Sequence, residues 1–311
     1  MKTNPSVHCL DEERVKRVKR SKLWDTLFLA PSLVSLLLVV ILPFFLGIYY
    51  SLTDWNGVRE IVTFKGFSNY VQMFTSVEFL YSFLVTLTYT VINVVLVNVV
   101  AFLLALLVTS PVKGRNLYRA AFFVPNLIGG IILGYTWQFM FNEFFKSISI
   151  ALGMGATSMI ANKNLVVLGM SIVNTWQYAG YIMLIFVAGI QSTPLEVMEA
   201  ATVDGANYFK RVTRVLMPMI ANAFTVSLFL TITNSFKMFD LNVALTNGGP
   251  STRFMGEVVN SSQLLTLTIY NRSITTKELA RGQAMSVVLF IVLVVFSLLQ
   301  VTISKRKEVE A

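Results

Sequence analysis

Six apolar stretches dominate the chain, at roughly residues 26 to 51, 79 to 109, 118 to 141, 165 to 191, 218 to 241 and 282 to 304. Each reaches the ~20 residues that a helix needs to cross the hydrocarbon core of a bilayer. They are almost free of charge: Lys22 and Asp25 stand at the first boundary, and Lys237, Asp240 and Arg281 near the outer ends of the last two. In such surroundings every backbone N–H and C=O has to be satisfied internally, which leaves helices or a closed barrel. The period-two alternation of a barrel is missing from these runs. The expected fold is therefore all-α and integral to a membrane, with six transmembrane helices. Composition points the same way: 55% of residues are hydrophobic and 13% charged, against about 45–50% apolar and about 25% charged in soluble domains.

Orientation follows from the basic residues. Seven Lys and Arg precede residue 25, three lie between 110 and 119, three between 192 and 217, and Lys305, Arg306 and Lys307 close the chain. The other side carries seven, spread over longer loops. An excess of Lys and Arg marks the cytoplasmic side, so both termini are expected there, residues 1–24 as a solvated tail and 25–311 as the membrane domain. In a soluble protein the net charge of +9 would suggest nucleic acid. Here the basic residues flank apolar runs, where they anchor segments to anionic lipid, so the bilayer is an expected partner and nucleic acid is not. Cys9 and His8 are the sole residues of their kinds, so neither a disulfide framework nor a Cys/His metal site is expected. The basic stretch Arg14 to Lys22 precedes a run too long for a signal-peptide core, with no small-residue cleavage site, so no removable leader is expected.

Several spans are irregular. Pro43 falls within the first, and PNLIGGIILG puts Pro125, Gly129, Gly130 and Gly134 on one expected helix. Gly130 and Gly134 form a small-xxx-small pair, which suits close helix packing. Polar residues recur inside spans: Asn93, Asn98, Gln138, Asn174, Gln177, Tyr178, Asn222 and Asn234. In a membrane such groups need partners or water, so each is either interhelical glue or part of a polar pathway. Lys237 and Asp240, three apart on one expected helix, are read as a mutual pair.

The connection 193–218 is unusually polar and helical in pattern. Thr193 can cap, Pro194 suits a first helical position and Glu196 can complete a capping box. Leu195, Met198 and Ala201 or Thr202 then recur at helical steps, Asp204-Gly205 can turn the chain, and a second amphipathic segment runs to Met217, with Pro218 opening the next span. By periodicity alone, such an element either docks a soluble partner or rests on lipid headgroups.

The segment EAATVDGANYFKRVTRVLMP (199–218) resembles the coupling motif of ATP-binding cassette importer permeases: EAA, three residues, Gly, nine residues, then Ile-x-Leu-Pro. Glu199, Ala200, Ala201, Gly205 and Pro218 fall in register, while Val215 and Met217 replace Ile and Leu. GFSNYVQMF (66–74), RAAFFVPN (119–126), NTWQYAGYIMLIFVAGIQSTP (174–194) and FDLNVALTNGGP (239–250) extend the resemblance to carbohydrate-uptake permeases such as those of the glycerol-3-phosphate and maltose systems. The extra helices and large external insertion of the maltose member are absent here.

The resemblance implies a type I importer permease in a bacterial or archaeal cell membrane, paired with a second, unlike permease as a heterodimer. It implies two ATP-binding ATPase subunits and an extracellular solute-binding protein as further partners. Glu199, Ala200, Ala201, Asp204, Gly205 and Pro218 would form the ATPase-coupling loop: Glu199 meeting a basic partner, the alanines permitting close approach and Gly205 making the bend. No Gly-x-x-x-x-Gly-Lys-Ser/Thr sequence occurs, so ATP and Mg are expected on the partner ATPase, with no cofactor and no catalytic residue on this chain. Sugars are held by aromatic faces and amide hydrogen bonds, which nominates Trp137, Gln138, Asn174, Trp176, Gln177, Tyr178, Asn234 and Phe236; the competing reading is interfacial aromatics and interhelical glue. An ion-gradient-driven transporter would need carboxylates or histidines near mid-membrane, and a membrane-embedded enzyme would need a nucleophile or metal constellation. Neither is visible in the spans. A passive channel would have no use for the coupling loop.

Overall fold

The computed structural model describes residues 26–58, 60–151, 153 and 158–305. The expected tail 1–24, with His8 and Cys9, lies outside them, as do Arg306 and Lys307. The first helix, α1 (Thr26–Ser51), is 26 residues of high hydropathy. Just before Pro43 it widens over Leu37–Ile41, where the Leu42 amide reaches back to the Leu37 carbonyl. Proline supplies no amide and crowds the preceding turn, and a local widening of this kind accommodates it. After the short α2 (Ser68–Thr75) comes α3 (Val77–Thr109), 33 residues long. Ser76 caps it by accepting from the Phe79 amide at 3.5 Å, and Glu78 sits in its first turn, where the helix dipole favours a carboxylate.

The core forms where α3 lies along α6 (Val166–Ser192). Val97, Ala101, Ala105 and Val108 of α3 recur every three or four residues and meet Ala179, Ile182, Met183 and Phe186 of α6. Small side chains let the backbones approach, since in lipid packing rather than water exclusion drives association. Two of the expected spans are bent pairs. Arg115–Leu127 (α4) meets Gly130–Ala151 (α5) at 95°, and Tyr208–Met219 (α8) meets Ala221–Phe236 (α9) at 75°. Four described helices are long and apolar enough to cross a membrane, six if each bent pair counts as one span.

The first bend corrects the one-helix reading of PNLIGGIILG. Pro125 lies in a tight turn ending at Leu127, Ile128 is extended, and Gly129 precedes the new helix. The freed Ile128 carbonyl accepts from Gln177 Nε2 at 2.8 Å, the kind of replacement partner that broken backbone within a bundle requires. Gly130 and Gly134 do pack closely: a Cβ on Gly134 would stand 2.5 Å from that of Ala244. The second bend, at Ile220, leaves Pro218 inside α8 rather than at the start of the span. The fifth span also ends early, at Phe236; Lys237–Phe239 is a linker before α10 (Asp240–Leu245).

Beyond α10 the chain makes a hairpin that period-two reasoning on the spans does not anticipate. Strands β1 (Ser251–Phe254) and β2 (Glu257–Asn260) pair antiparallel, with Phe254 opposite Glu257. Met255 and Gly256 both adopt positive φ, 49° and 87°, as a two-residue hairpin turn of this hand demands. The Phe254 ring packs on Tyr81 of α3 at 5.1 Å. Then α11 (Leu265–Tyr270) leads to α12 (Leu279–Lys305), which receives α1 through Phe44 and Phe290, 4.9 Å between centroids. At this end of the bundle Arg272 pairs with Glu78 and Glu278, and Arg281 with Glu278 at 2.8 Å. Burial opposes the Arg272 charge, yet the two carboxylates raise its pKa above the ordinary arginine value. On the preceding loop Thr63 donates its hydroxyl and amide to Asp54 and lowers that carboxylate's pKa.

Amide side chains tie the long helices together. Asn174 of α6 donates to Asn93 of α3 at 3.0 Å, Asn93 donates to Ser235 of α9 at 2.8 Å, and Asn98 donates to Thr231 of α9 at 2.9 Å. All five residues are buried. A double-mutant cycle of Asn93→Leu and Ser235→Ala, followed by unfolding in mixed micelles, is expected to give a coupling of roughly 0.6 to 1.7 kcal/mol, the range for buried interhelical hydrogen bonds. Strict additivity would remove the link.

Candidate functional site

Two features stand out, one within the bundle and one at its end. The first is an open cavity of about 470 Å³ between α6 and α9, bordered by the α4–α5 break and by the 237–239 linker with the start of α10. Its polar wall comprises Asn126, Asn174, Gln177, Tyr178 and Asn234, with Lys237 and Asp240 at one side. Two local details build it. The break after Leu127 turns Asn126 and Gly130 to the cavity, and Gly130 lets α5 approach α10 so closely that a Cβ there would lie 2.9 Å from Asp240 Cβ. Asp240 in turn occupies the first turn of α10.

Of the eight residues nominated from sequence, Asn174, Gln177, Tyr178 and Asn234 line this cavity. Positions 174, 177 and 178 share one helical face, whereas 176 points about 200° away at ~100° per residue. Trp176 accordingly packs edge-on against Trp137 at 5.7 Å, and Trp137 also contacts Phe141 and Phe145. Gln138 donates to the Leu245 carbonyl at 3.1 Å, as interhelical glue. Phe236 is buried against Phe296. These four stand away from the cavity. The amides of Asn174 and Gln177 line it while donating to Asn93 and to the Ile128 carbonyl. Asn234 Oδ1 is buried without a hydrogen-bond partner.

Sequence reasoning passed over Asn126, Lys237 and Asp240. The expected Lys237–Asp240 pair does not form: the helix stops between them, and among the described residues no ion pair joins them. The signal was present in the run Lys237-Met238-Phe239-Asp240, two charges bracketing apolar residues at a span end. Its helical continuation was the faulty step.

The second feature is the elbow made by α7 (Leu195–Val203) and α8. Thr193 does not cap α7; its hydroxyl donates back to Gly189 at 3.3 Å, Pro194 takes the capping position, and the box with Glu196 is not formed. The turn falls at Asp204-Gly205 as expected. Gly205 has φ +77°, its amide donates to Thr202, and the Ala206 amide donates to Ala201, a double closure that wants a left-handed residue, normally glycine. Asn207 then caps α8 by accepting from the Lys210 amide at 2.9 Å. Arg211 bridges the two helices, donating to the Thr202 hydroxyl at 2.7 Å.

Met198 and Leu216 pack beneath the cluster formed by Ala105, Val108, Phe186 and Val187, which sets the elbow at the end of the bundle opposite the hairpin. Its outer surface is uncovered. Glu199, Ala200, Asp204, Gly205 and Pro218 are exposed, with Ala201 half-buried, and Leu195, Val203, Tyr208 and Phe209 are 68%, 88%, 61% and 73% exposed. A rigid, apolar-tipped elbow ringed by charge is a form that interfaces favour.

Residues 21–309 match the family described as the binding-protein-dependent transport system inner membrane component. A probable starch degradation products transport system permease protein of Thermoanaerobacterium thermosulfurigenes is 43% identical over 292 residues, 94% of this chain and 97% of that one. A multiple sugar-binding transport system permease protein of Streptococcus mutans is 29% identical over 291 residues, 93% of this chain and 98% of that one. Among solved structures, a chain of a bacterial ABC transporter that imports the acidic polysaccharide alginate superposes with a TM-score of 0.78 at 19% identity, covering 94% of this chain and 99% of that one; the two share a fold.

Proposed function

We infer the function from one premise: the chain belongs to the family of inner membrane components of binding-protein-dependent transport systems. Within it, this chain is a permease subunit of an ATP-binding cassette importer that carries a sugar or oligosaccharide into the cell. The match with a starch-product permease at 43% identity over 94% of the chain supports the solute class. We place ATP hydrolysis on two separate ATPase subunits, a second permease beside this one, a solute-binding protein outside, and both termini in the cytoplasm.

The observation that carries the mechanism is the exposed, clamped elbow. Closure of the ATPases draws the elbows of the two permeases together, and the α6–α9 cavity, where Asn174, Gln177, Tyr178 and Asn234 meet the solute, changes the side to which it opens. Moving such an equilibrium from mostly one side to mostly the other takes about 5.5 kcal/mol of differential binding. Arg211, Gly205 and Asn207 suit the elbow to that task because they fix the angle between its helices.

The test is made in proteoliposomes holding the whole complex. Neutral oligosaccharide uptake is expected to need ATP and the loaded binding protein and to survive ionophores. In the same vesicles, Val203→Cys on a Cys9→Ser background should react with an impermeant maleimide on the ATPase side alone. Uptake driven by an ion gradient without ATP, or labelling from the binding-protein side, would overturn the reading.

A further inference from the structure

We propose that Lys237 and Asp240 determine which solutes the cavity accepts, and that together they select an uncharged, hydroxyl-rich solute over an anionic or cationic one. This rests on the cavity being the solute pathway. Both side chains belong to its wall, three positions apart, on a linker and on the first residue of α10. They would be expected to neutralise each other, and no ion pair joins them. Both residues are exposed at the cavity, so each charge is open to a solute there.

The other polar lining residues are all uncharged, so none of them discriminates by charge as these two do. The Asn174 and Gln177 amide groups already donate to Asn93 and Ile128, and the Thr233 hydroxyl donates to the Phe229 carbonyl. The strong donor that remains is the Lys237 ammonium, with three N–H bonds to offer. The strong acceptor is the Asp240 carboxylate. A carboxylate can accept from two adjacent hydroxyls at once, and bonds of either charged group are roughly twice as strong as neutral ones. A neutral sugar uses both groups. An anionic sugar gains at Lys237 what it loses at Asp240, and a cationic one the reverse. Gly130 holds the arrangement in place, because α5 stands against Asp240 only in the absence of a Cβ.

The experiment uses the complete complex in nanodiscs without the binding protein, so that the permease's own preference is read. Saturation-transfer NMR measures competition among maltotriose, its glucuronate-ended counterpart and its glucosamine-ended counterpart. The native complex is expected to favour the neutral trisaccharide at least tenfold, ~1.4 kcal/mol. Asp240→Asn should shift the ratio about tenfold toward the glucuronate. Lys237→Met should shift it about tenfold toward the glucosamine, and the exchange Lys237→Asp/Asp240→Lys should restore the neutral preference. Unchanged ratios in both single variants overturn the proposal. Asn234→Trp, which fills the cavity, separates the two levels. If it abolishes binding while the ratios stay fixed, the pathway stands and this assignment falls; if the trisaccharide still binds, the pathway itself falls.

Discussion

Binding-protein-stimulated ATP hydrolysis is expected to be lost in a complex carrying Gly205→Pro and reduced at least tenfold in one carrying Glu199→Lys, with both chains still inserted. The two act by different routes. Gly205 sits at φ +77° and donates its amide to Thr202. Proline fixes φ near −65° and has no amide to give, so the closure between α7 and α8 opens at a cost of more than about 1 kcal/mol. No heavy atom lies within 4 Å of the position of a Cβ there, so the damage is to the turn and not to packing. Glu199 is exposed, and among the described residues it makes no ion pair. Reversing its charge leaves the fold alone and opposes any basic partner on a docked subunit, where disrupting a close charge pair costs about 2–5 kcal/mol. Hydrolysis measured in reconstituted complex, with and without loaded binding protein, reads both. Full stimulation in the Glu199→Lys complex would remove the docking role of the elbow.

The second large effect is expected at Gly180. A Cβ on this residue would lie 1.8 Å from the Phe122 carbonyl oxygen and 3.0 Å from the Phe123 amide nitrogen. The obstacle is backbone, which cannot swing aside as a side chain can. Gly180→Ala has to push α4 off α6, at ~1–3 kcal/mol or more, and Gly180→Leu should leave no monodisperse protein in size-exclusion chromatography. Gly129→Ala is the control, because its Cβ would meet nothing within 4 Å. Thermal unfolding in nanodiscs should place it close to the parent and Gly180→Ala well below. Equal melting of the two would mean that α4 is not seated on α6 as described.

Much of this was legible in sequence. Helical periods, apolar lengths and the Asp204-Gly205 turn located the long helices and the elbow, because each rests on local chemistry. The amide ladder was legible as a pair of alternatives: Asn93 and Asn98 resolve to glue, Asn234 lines the cavity, and Asn174 does both. What sequence did not carry was direction. Pro125 and Gly129 announce a break yet not its 95° angle, nor that Gln177 of another helix satisfies the freed Ile128 carbonyl. Trp137 and Trp176 have the right chemistry for a sugar and stand away from the cavity, packed on each other. Lys237 and Asp240 were misread for the same reason: spacing alone assumes that a helix continues, and this one stops when α10 must pack against Gly130 and Gly134.

The length of α3 has a mechanical consequence. At about 1.5 Å per residue its 33 residues extend some 50 Å, well beyond the ~30 Å of hydrocarbon in an ordinary bilayer. It must lean, project, or thicken the lipid around it. Because Asn93 and Asn98 hang the neighbouring helices from this rod, the thickness of the membrane becomes a setting on the whole bundle. Vesicles of short and long acyl chains should therefore support different turnover from one and the same protein.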